Sequence, residues 1–207
     1  MDFESLIFDI DGTLWDSRAL VAKGYNAHLK EVGMERFSVT PEILKTVFGK
    51  TMTEIADILF AELPAQERYP LLERCMEQEG ETLHNDPCRI GYPKVKETLE
   101  KLHEKHRLFI VSNSQCGYPE LCIEKMGLGR LISGHLCFGD TGTCKGETIK
   151  KLMADHGITS ACYIGDTQGD MEAADLAEIP FIYCTFGFGQ VDHCWKKINK
   201  FEDLLEL

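Results

Sequence analysis

The sequence has no CxxC pair, no surplus of basic residues, and no apolar run approaching the roughly 18 residues of a membrane span. Each absence excludes something. Lysine and arginine total 22 against 34 acidic residues, a formal net charge of -12. Nothing basic is concentrated enough to release counterions, which argues against a nucleic-acid or anionic-membrane partner. The acidity itself reads as solubility. The nine cysteines are odd in number, and Cys137, Cys162 and Cys184 sit in apolar runs. They read as reduced, partly buried thiols of a cytoplasmic protein, not as a disulfide framework. No basic segment followed by a long apolar one opens the chain, so no signal peptide is expected. The seven histidines show no metal-ligand spacing, and His103 and His106 lie in a charged helical stretch where solvated side chains are expected. There is no internal repeat and no low-complexity stretch.

What is present is an ordinary apolar fraction, 43% of 207 residues, enough for one large domain or two small ones. Ser5 to Ile10 is short and nearly all apolar, as expected of a strand buried on both faces. From Ser17 the period becomes helical. Val21, Tyr25, Leu29 and Val32 fall on one face, and Gly33 suits the helix end. Thr40-Pro41 predicts an N-cap with proline at the first helical position. Thr51 and Glu54 have capping-box spacing, with Ile55, Ile58 and Leu59 on one face. Pro64 and Pro70 punctuate the next region, and Leu72, Cys75, Met76 and Leu83 mark one more helix ending near Asn85. Nothing between Asp16 and Asn85 reads as a strand.

After Pro87 the pattern alternates. Helices are expected over 93–105, 119–126, 145–156 and after Asp166, with a short one over 201–205. Strands are expected over 108–111, 135–138, 161–164 and 180–184. This predicts an α/β fold, a doubly wound parallel sheet with helices on both faces. Because that pattern needs the first strand, the core must be discontinuous. Residues 1–15 and 86–207 form it, and 16–85 is an all-helical insertion.

Open parallel sheets bind ligands at the carboxyl ends of their strands. The first strand ends in Asp9 and Asp11, followed by Gly12 and Thr13. The next ends in Ser112 and Asn113. Asp166 follows a later strand, with Asp170 one helical turn on, and Lys145 opens the helix before that strand. Carboxylates brought together repel unless something neutralises them. Mg²⁺ is commonly held by one or two carboxylates, waters and a substrate phosphate. A carboxylate can also act as a nucleophile and form an aspartyl phosphate. A second acid two residues on could protonate a leaving alkoxide and then deprotonate water. Gly12 would let the backbone turn close to a phosphate.

Asp9-Ile10-Asp11-Gly12-Thr13, Ser112-Asn113-Ser114, Lys145 and Gly165-Asp166-Thr167-Gln168-Gly169-Asp170 resemble, in order, the four motifs of the haloacid dehalogenase-like (HAD) superfamily. The helical insertion between the first two resembles the C1 cap subclass, and Thr185-Phe186-Gly187-Phe188-Gly189 resembles the phosphoglycolate phosphatase-like branch. The resemblance covers the whole chain. It implies a Rossmann-like core and a cap that selects substrate. It implies Asp9 as nucleophile and Mg²⁺ ligand, and Asp11 as general acid/base that binds Mg²⁺ through its backbone carbonyl. Ser112 and Asn113 would hold phosphoryl oxygens beside Gly12 and Thr13. Lys145 would stabilise nucleophile and phosphate, Asp166 would bind Mg²⁺, and Asp170 would ligate or orient it. Lys50, in a loop between two cap helices, would reach the substrate. Gly49-Lys50-Thr51 itself is no Walker loop, since Leu44 stands where glycine is required and no strand precedes it.

The expected activity is therefore Mg²⁺-dependent hydrolysis of a small phosphorylated metabolite. A sugar phosphomutase of the β-phosphoglucomutase type and a pyrophosphatase keep the same motifs and stay open. Haloacid dehalogenases and phosphonoacetaldehyde hydrolases usually lack the second acid, which here is Asp11. A phospho-aspartate signalling module carries its acids adjacent and has no insertion. A silent phosphate-binding protein would be missing a motif residue. Trp15, just after the first motif, is expected to pack near the point where the chain leaves the core.

Overall fold

A computed structural model describes residues 3–207. Strand β1 (Ser5–Phe8) is buried at every position, as its unbroken apolar character requires. Helix α1 (Arg18–Glu31) buries Val21, Tyr25 and Leu29. Val32 does not share that face as expected. The helix has ended, Gly33 turns the chain at φ +71°, and Val32 is left exposed. A 3-10 turn, Glu35–Phe37, comes next without any sequence signal. Helix α2 (Pro41–Val47) starts on Thr40, whose hydroxyl accepts from the Ile43 N–H at 3.3 Å. Helix α3 (Met52–Leu59) carries the expected capping box. Thr51 N–H donates to the Glu54 carboxylate at 2.8 Å, and Glu54 N–H donates back to the Thr51 hydroxyl. Ile55 is buried, but Ile58 is exposed and Leu59 only half-buried, so the expected apolar face is not covered along its whole width.

Helix α4 (Ala65–Asn85) runs through Pro70 instead of stopping there. Proline removes one donor to the carbonyl four residues back. Gln66 and Pro70 are both exposed, so water can serve that carbonyl. Helix α1 lies close against α4. A Cβ on Gly24 would stand 2.8 Å from the Glu79 Cα, so no larger residue fits there.

The remaining elements are α5 (Val95–His103), β2 (Arg107–Ser112), α6 (Tyr118–Met126), β3 (Ile132–Cys137), α7 (Phe138–Thr141), α8 (Lys145–Asp155), β4 (Ala161–Gly165), α9 (Gln168–Leu176), β5 (Phe181–Cys184), β6 (Lys196–Ile198) and a final 3-10 turn, Phe201–Glu206. The six strands form one parallel sheet in the order β3-β2-β1-β4-β5-β6. On one face, Ile7, Phe109, Val111 and Tyr163 pack against Ile149 and Leu152 of α8 and against Met171, Ala173 and Ala174 of α9. On the other, the Phe8 ring meets Phe201 at 5.9 Å. Strand β6 was not expected. It is a three-residue edge strand with two lysines and too little apolar character to read as one. His106 is not simply solvated either, since its Nδ1 lies 2.7 Å from the Phe3 carbonyl. Among the described residues, no helix is long and apolar enough to cross a membrane.

Compactness divides the chain into a helical unit, Ser17–Arg89, and a sheet unit that runs to Asp16 and resumes at Ile90–Leu207. The second junction falls after Arg89, not at the 85/86 break expected from sequence. Asp86 belongs with the helices because it pairs with Lys23 of α1 at 2.8 Å. In the sheet unit the outgoing and returning segments run side by side. Asp16 N–H donates to Ile90 O at 2.8 Å, and Tyr92 N–H donates to Leu14 O at 3.0 Å.

Candidate active site

The sheet register puts the acids where a parallel sheet collects ligands. Phe8 pairs with Ile164 on one side and Ile110 on the other. Asp9 follows at the end of β1, its N–H donating to Ile164 O at 2.8 Å. Asp166 follows β4, and Ser112 closes β2. The chain then turns sharply at Gly12, φ +89°, a conformation that favours glycine. Space requires glycine here as well. A Cβ on Gly12 would fall 2.2 Å from Asp166 Oδ2, and one on Gly187 would fall 2.3 Å from the Asp166 Cβ. Two glycines therefore clasp one carboxylate.

Lys145, at the start of α8, is buried and joins the acids. Its Nζ donates to Asp9 Oδ1 at 2.8 Å and to Asp170 Oδ1 at 2.6 Å. Asp170 is held from its other side. Its Oδ2 accepts from the Thr167 hydroxyl at 2.7 Å and from the N–H groups of Thr167 and Asp166 at 3.0 and 3.1 Å. That is the capping box of α9, and it shows why an acid stands one turn into the helix. With Lys145 on one oxygen and three donors on the other, Asp170 is built to orient its neighbours. Asp166 accepts from the Phe188 N–H at 2.6 Å and from the Thr13 hydroxyl at 3.4 Å. Thr13 is itself fully buried, and its hydroxyl braces Asp166.

Asp9, Asp166 and Asp170 each offer an oxygen, and the three lie within 4.8 Å of one another. Burial raises the cost of their charges. It pushes Asp9 up to about 7, with Asp170 adding to the effect and Lys145 opposing it. Asp166 is held well above the usual carboxylate range by burial and then by Asp170 and Asp9. Burial disfavours the Lys145 charge, but Asp170 and Asp9 outweigh it and hold the ammonium above the ordinary lysine range. One buried lysine cannot neutralise three ionised carboxylates, so two of them are pushed toward their protonated forms unless a cation joins them, and their oxygens line the site. That donor set fits a hard divalent cation.

Asp11 is held by a separate pair of donors, and its charge still acts on Asp9. Its Oδ1 accepts from Trp15 Nε1 at 2.8 Å and from the Tyr118 hydroxyl at 2.9 Å. The two rings stack edge to face, their centroids 5.6 Å apart. Trp15 is fully buried, as expected of a packing residue, but it also holds an acid. Ser112 and Asn113 stand at the carboxyl end of β2, where the Ser112 hydroxyl accepts from the Ser114 N–H at 3.2 Å. Lys50 is exposed in the turn between α2 and α3 of the helical unit.

Sequence reasoning placed Thr167 and Phe188 inside motifs without giving either a role, and it missed Tyr118. Thr167 left a further signal, the Thr-x-x-Asp spacing of a capping box. Tyr118 follows a left-handed Gly117, and nothing in its neighbourhood marks it as a partner of Asp11.

A family profile described as haloacid dehalogenase-like hydrolase matches residues 6–184. The phosphoglycolate phosphatase of Agrobacterium fabrum is 30% identical over 202 residues, covering 89% of this chain and 82% of that one. The phosphoglycolate phosphatase of Aliivibrio fischeri is 27% identical, covering 90% of this chain and 86% of its own. A haloacid dehalogenase-like family hydrolase from Streptococcus pneumoniae superposes with a TM-score of 0.82 at 20% identity, over 99% of this chain and 98% of that one. At that identity the superposition speaks for the fold alone.

Proposed function

The chain belongs to the haloacid dehalogenase-like hydrolases, and we propose that it is a phosphomonoesterase acting on a small phosphorylated metabolite through an aspartyl phosphate on Asp9. The observation that carries this reading is the Lys145 ammonium, buried and bonded to both Asp9 and Asp170. A stability element alone has little use for this arrangement, because buried ion pairs are at best weakly stabilising. A site that receives a phosphoryl group needs it.

Asp9 is the nucleophile. Lys145 fixes one of its oxygens and offsets its charge, so that the carboxylate can approach an anionic phosphoryl group. A bond forms between an Asp9 oxygen and phosphorus while the ester P–O bond breaks. Asp11 donates a proton to the departing alkoxide. It then takes a proton from the water that attacks phosphorus and releases inorganic phosphate. Trp15 and Tyr118 hold Asp11 by one oxygen, Oδ1. Asp9, Asp166 and the Asp11 carbonyl would hold Mg²⁺, which supplies positive charge opposite the phosphoryl oxygens. Ser112 and Asn113 would bind phosphoryl oxygens from the neighbouring strand end.

The relatives named as phosphoglycolate phosphatases make phosphoglycolate the first substrate to try. Selection among substrates falls to the helical insertion, since function tends to sit on elements that vary over a rigid scaffold. The test is phosphate release from phosphoglycolate, sugar phosphates, nucleotides and pyrophosphate, each with and without Mg²⁺. Catalytic turnover of at least one monoester supports the reading. Transfer of phosphate between two positions of a sugar without net release replaces it with a mutase.

A further inference from the structure

A second cluster of ligating side chains stands apart from the catalytic acids, where the turn after β2 meets the end of β3. Cys116 Sγ, Cys137 Sγ and an Asp140 oxygen lie within 4.8 Å of one another. Cys116 is exposed, Cys137 is buried, and both are free thiols. Cys116 Sγ donates to Asp140 Oδ1 at 3.5 Å, and the two thiols also interact with each other. The backbone holds this arrangement closed. Gly139 N–H donates to Ser114 O at 3.1 Å, Cys137 Sγ donates to Gln115 O at 3.4 Å, and Cys137 N–H donates to Asp140 Oδ2 at 2.8 Å. Gly139 is packed so tightly that a Cβ would fall 2.3 Å from Cys116 N. His135 adds an independent observation. It lies two residues before Cys137, on the same face of β3, and it acts electrostatically on Asp140. Its Nδ1 is buried with no hydrogen-bond partner among the described residues.

We propose that Cys116, Cys137 and Asp140 form a binding site for a thiophilic divalent cation of the Zn²⁺ class. The site is distinct from the Mg²⁺-type carboxylate cluster and independent of the phosphatase reading. The donor set is the argument. Two thiolates and a carboxylate suit zinc, whereas magnesium prefers oxygen alone. The spacing agrees. A tetrahedral centre with Zn–S of about 2.3 Å and Zn–O of about 2.1 Å separates neighbouring sulfur and oxygen ligands by roughly 3.6 Å. Cys116 Sγ and Asp140 Oδ1 are 3.5 Å apart. The exposed Cys116 gives the cation a path in, and water completes the coordination. On binding, two S–H bonds break, two S–metal bonds form, and both protons leave to solvent. The loop that supplies Cys116 also carries Ser112 to Ser114, so an ion here would brace that loop from behind.

Co²⁺ serves as the probe, because bound thiolate gives it a charge-transfer absorption that carboxylate does not. The full chain, reduced with a non-thiol reagent and stripped of metal, is titrated with Co²⁺ and then with Zn²⁺. One Co²⁺ per chain is expected to show thiolate charge transfer and to be displaced by Zn²⁺. Cys116→Ser, checked for native circular dichroism, and Asp140→Asn, which keeps the acceptor for the Cys137 N–H, should each weaken binding by more than the roughly tenfold typical of losing an outer hydrogen-bond partner. Asp9→Asn should leave binding unchanged, and so should replacing Cys88, Cys144 and Cys194 together by serine. Absence of the charge-transfer band in the wild type overturns the proposal. So does its survival in Cys116→Ser, or its loss in the variant lacking the other three thiols.

Discussion

The Tyr118 hydroxyl donates to Asp11 Oδ1 at 2.9 Å, across 107 positions of sequence. The first residue of α6 is thereby tied to the second acid of the β1 loop. If Asp11 moves the proton, Tyr118 is a positioning residue for it. A hydrogen bond to a charged group is worth about 1.5–3 kcal/mol, so Tyr118→Phe should slow turnover of alkyl phosphates roughly tenfold or more. With p-nitrophenyl phosphate, whose leaving group needs no proton, the loss should be much smaller. Equal losses with both substrates would mean that Tyr118 acts on the fold and not on Asp11.

Lys145 is the only cation bonded into the buried acid cluster among the described residues. Lys145→Met leaves Asp9 and Asp170 without it. Removing one partner from a buried ionic group costs about 3–5 kcal/mol, and urea unfolding of the metal-free variant should show a loss of that order. Activity should fall below detection. A variant as stable as the wild type would show that the acids do not depend on the lysine for their charge.

Asp9 gives the metal-free protein an unusual pH dependence. Its carboxyl is raised from an ordinary value of 3.8 to about 7, and Asp166 moves in the same direction. Between those values the folded state binds more protons than the unfolded one, so stability must fall as pH rises. This is the reverse of the usual behaviour of a paired carboxylate. Without divalent cation the melting temperature should be lower at about pH 8 than at about pH 5, and Mg²⁺ should restore it chiefly at the higher pH. A metal-free melting temperature that climbs over this range would contradict the burial-driven shift.

Gly12→Ala should disable the site from the backbone. The added Cβ would meet Asp166 Oδ2 at 2.2 Å, at a residue whose φ is +89°. Asp166 has to move, and the half-saturating Mg²⁺ concentration should rise with it, about tenfold or more. Unchanged activation by Mg²⁺ would remove Asp166 from the metal set.

Much of the fold and the site was legible in the sequence because it is local. Unbroken apolar runs mark strands covered on both faces, and Thr40 and Thr51 start helices through contacts three residues away. Asp9, Lys145 and Asp166 stand at strand ends or helix starts, which the alternating pattern locates. What escaped depends on contacts between distant segments. Tyr118 matters only because α6 begins beside the β1 loop. The Thr13 hydroxyl meets Asp166 across 153 positions of sequence. The end of the helical unit moved to Arg89 because Asp86 pairs with Lys23, 63 positions away. Strand β6 escaped for the opposite reason, since three residues with two lysines carry too little pattern to read.

The central claim is that a phosphoryl group passes through Asp9. It is tested by mixing enzyme, Mg²⁺ and a turned-over monoester, quenching in acid, and reducing with borohydride, which converts an acyl phosphate to the alcohol. Peptide mass spectrometry should find homoserine at position 9, dependent on substrate and on Mg²⁺, and absent from Asp9→Asn. Rapid turnover with aspartate intact at position 9, or with the phosphoryl group found on another side chain, would contradict the account.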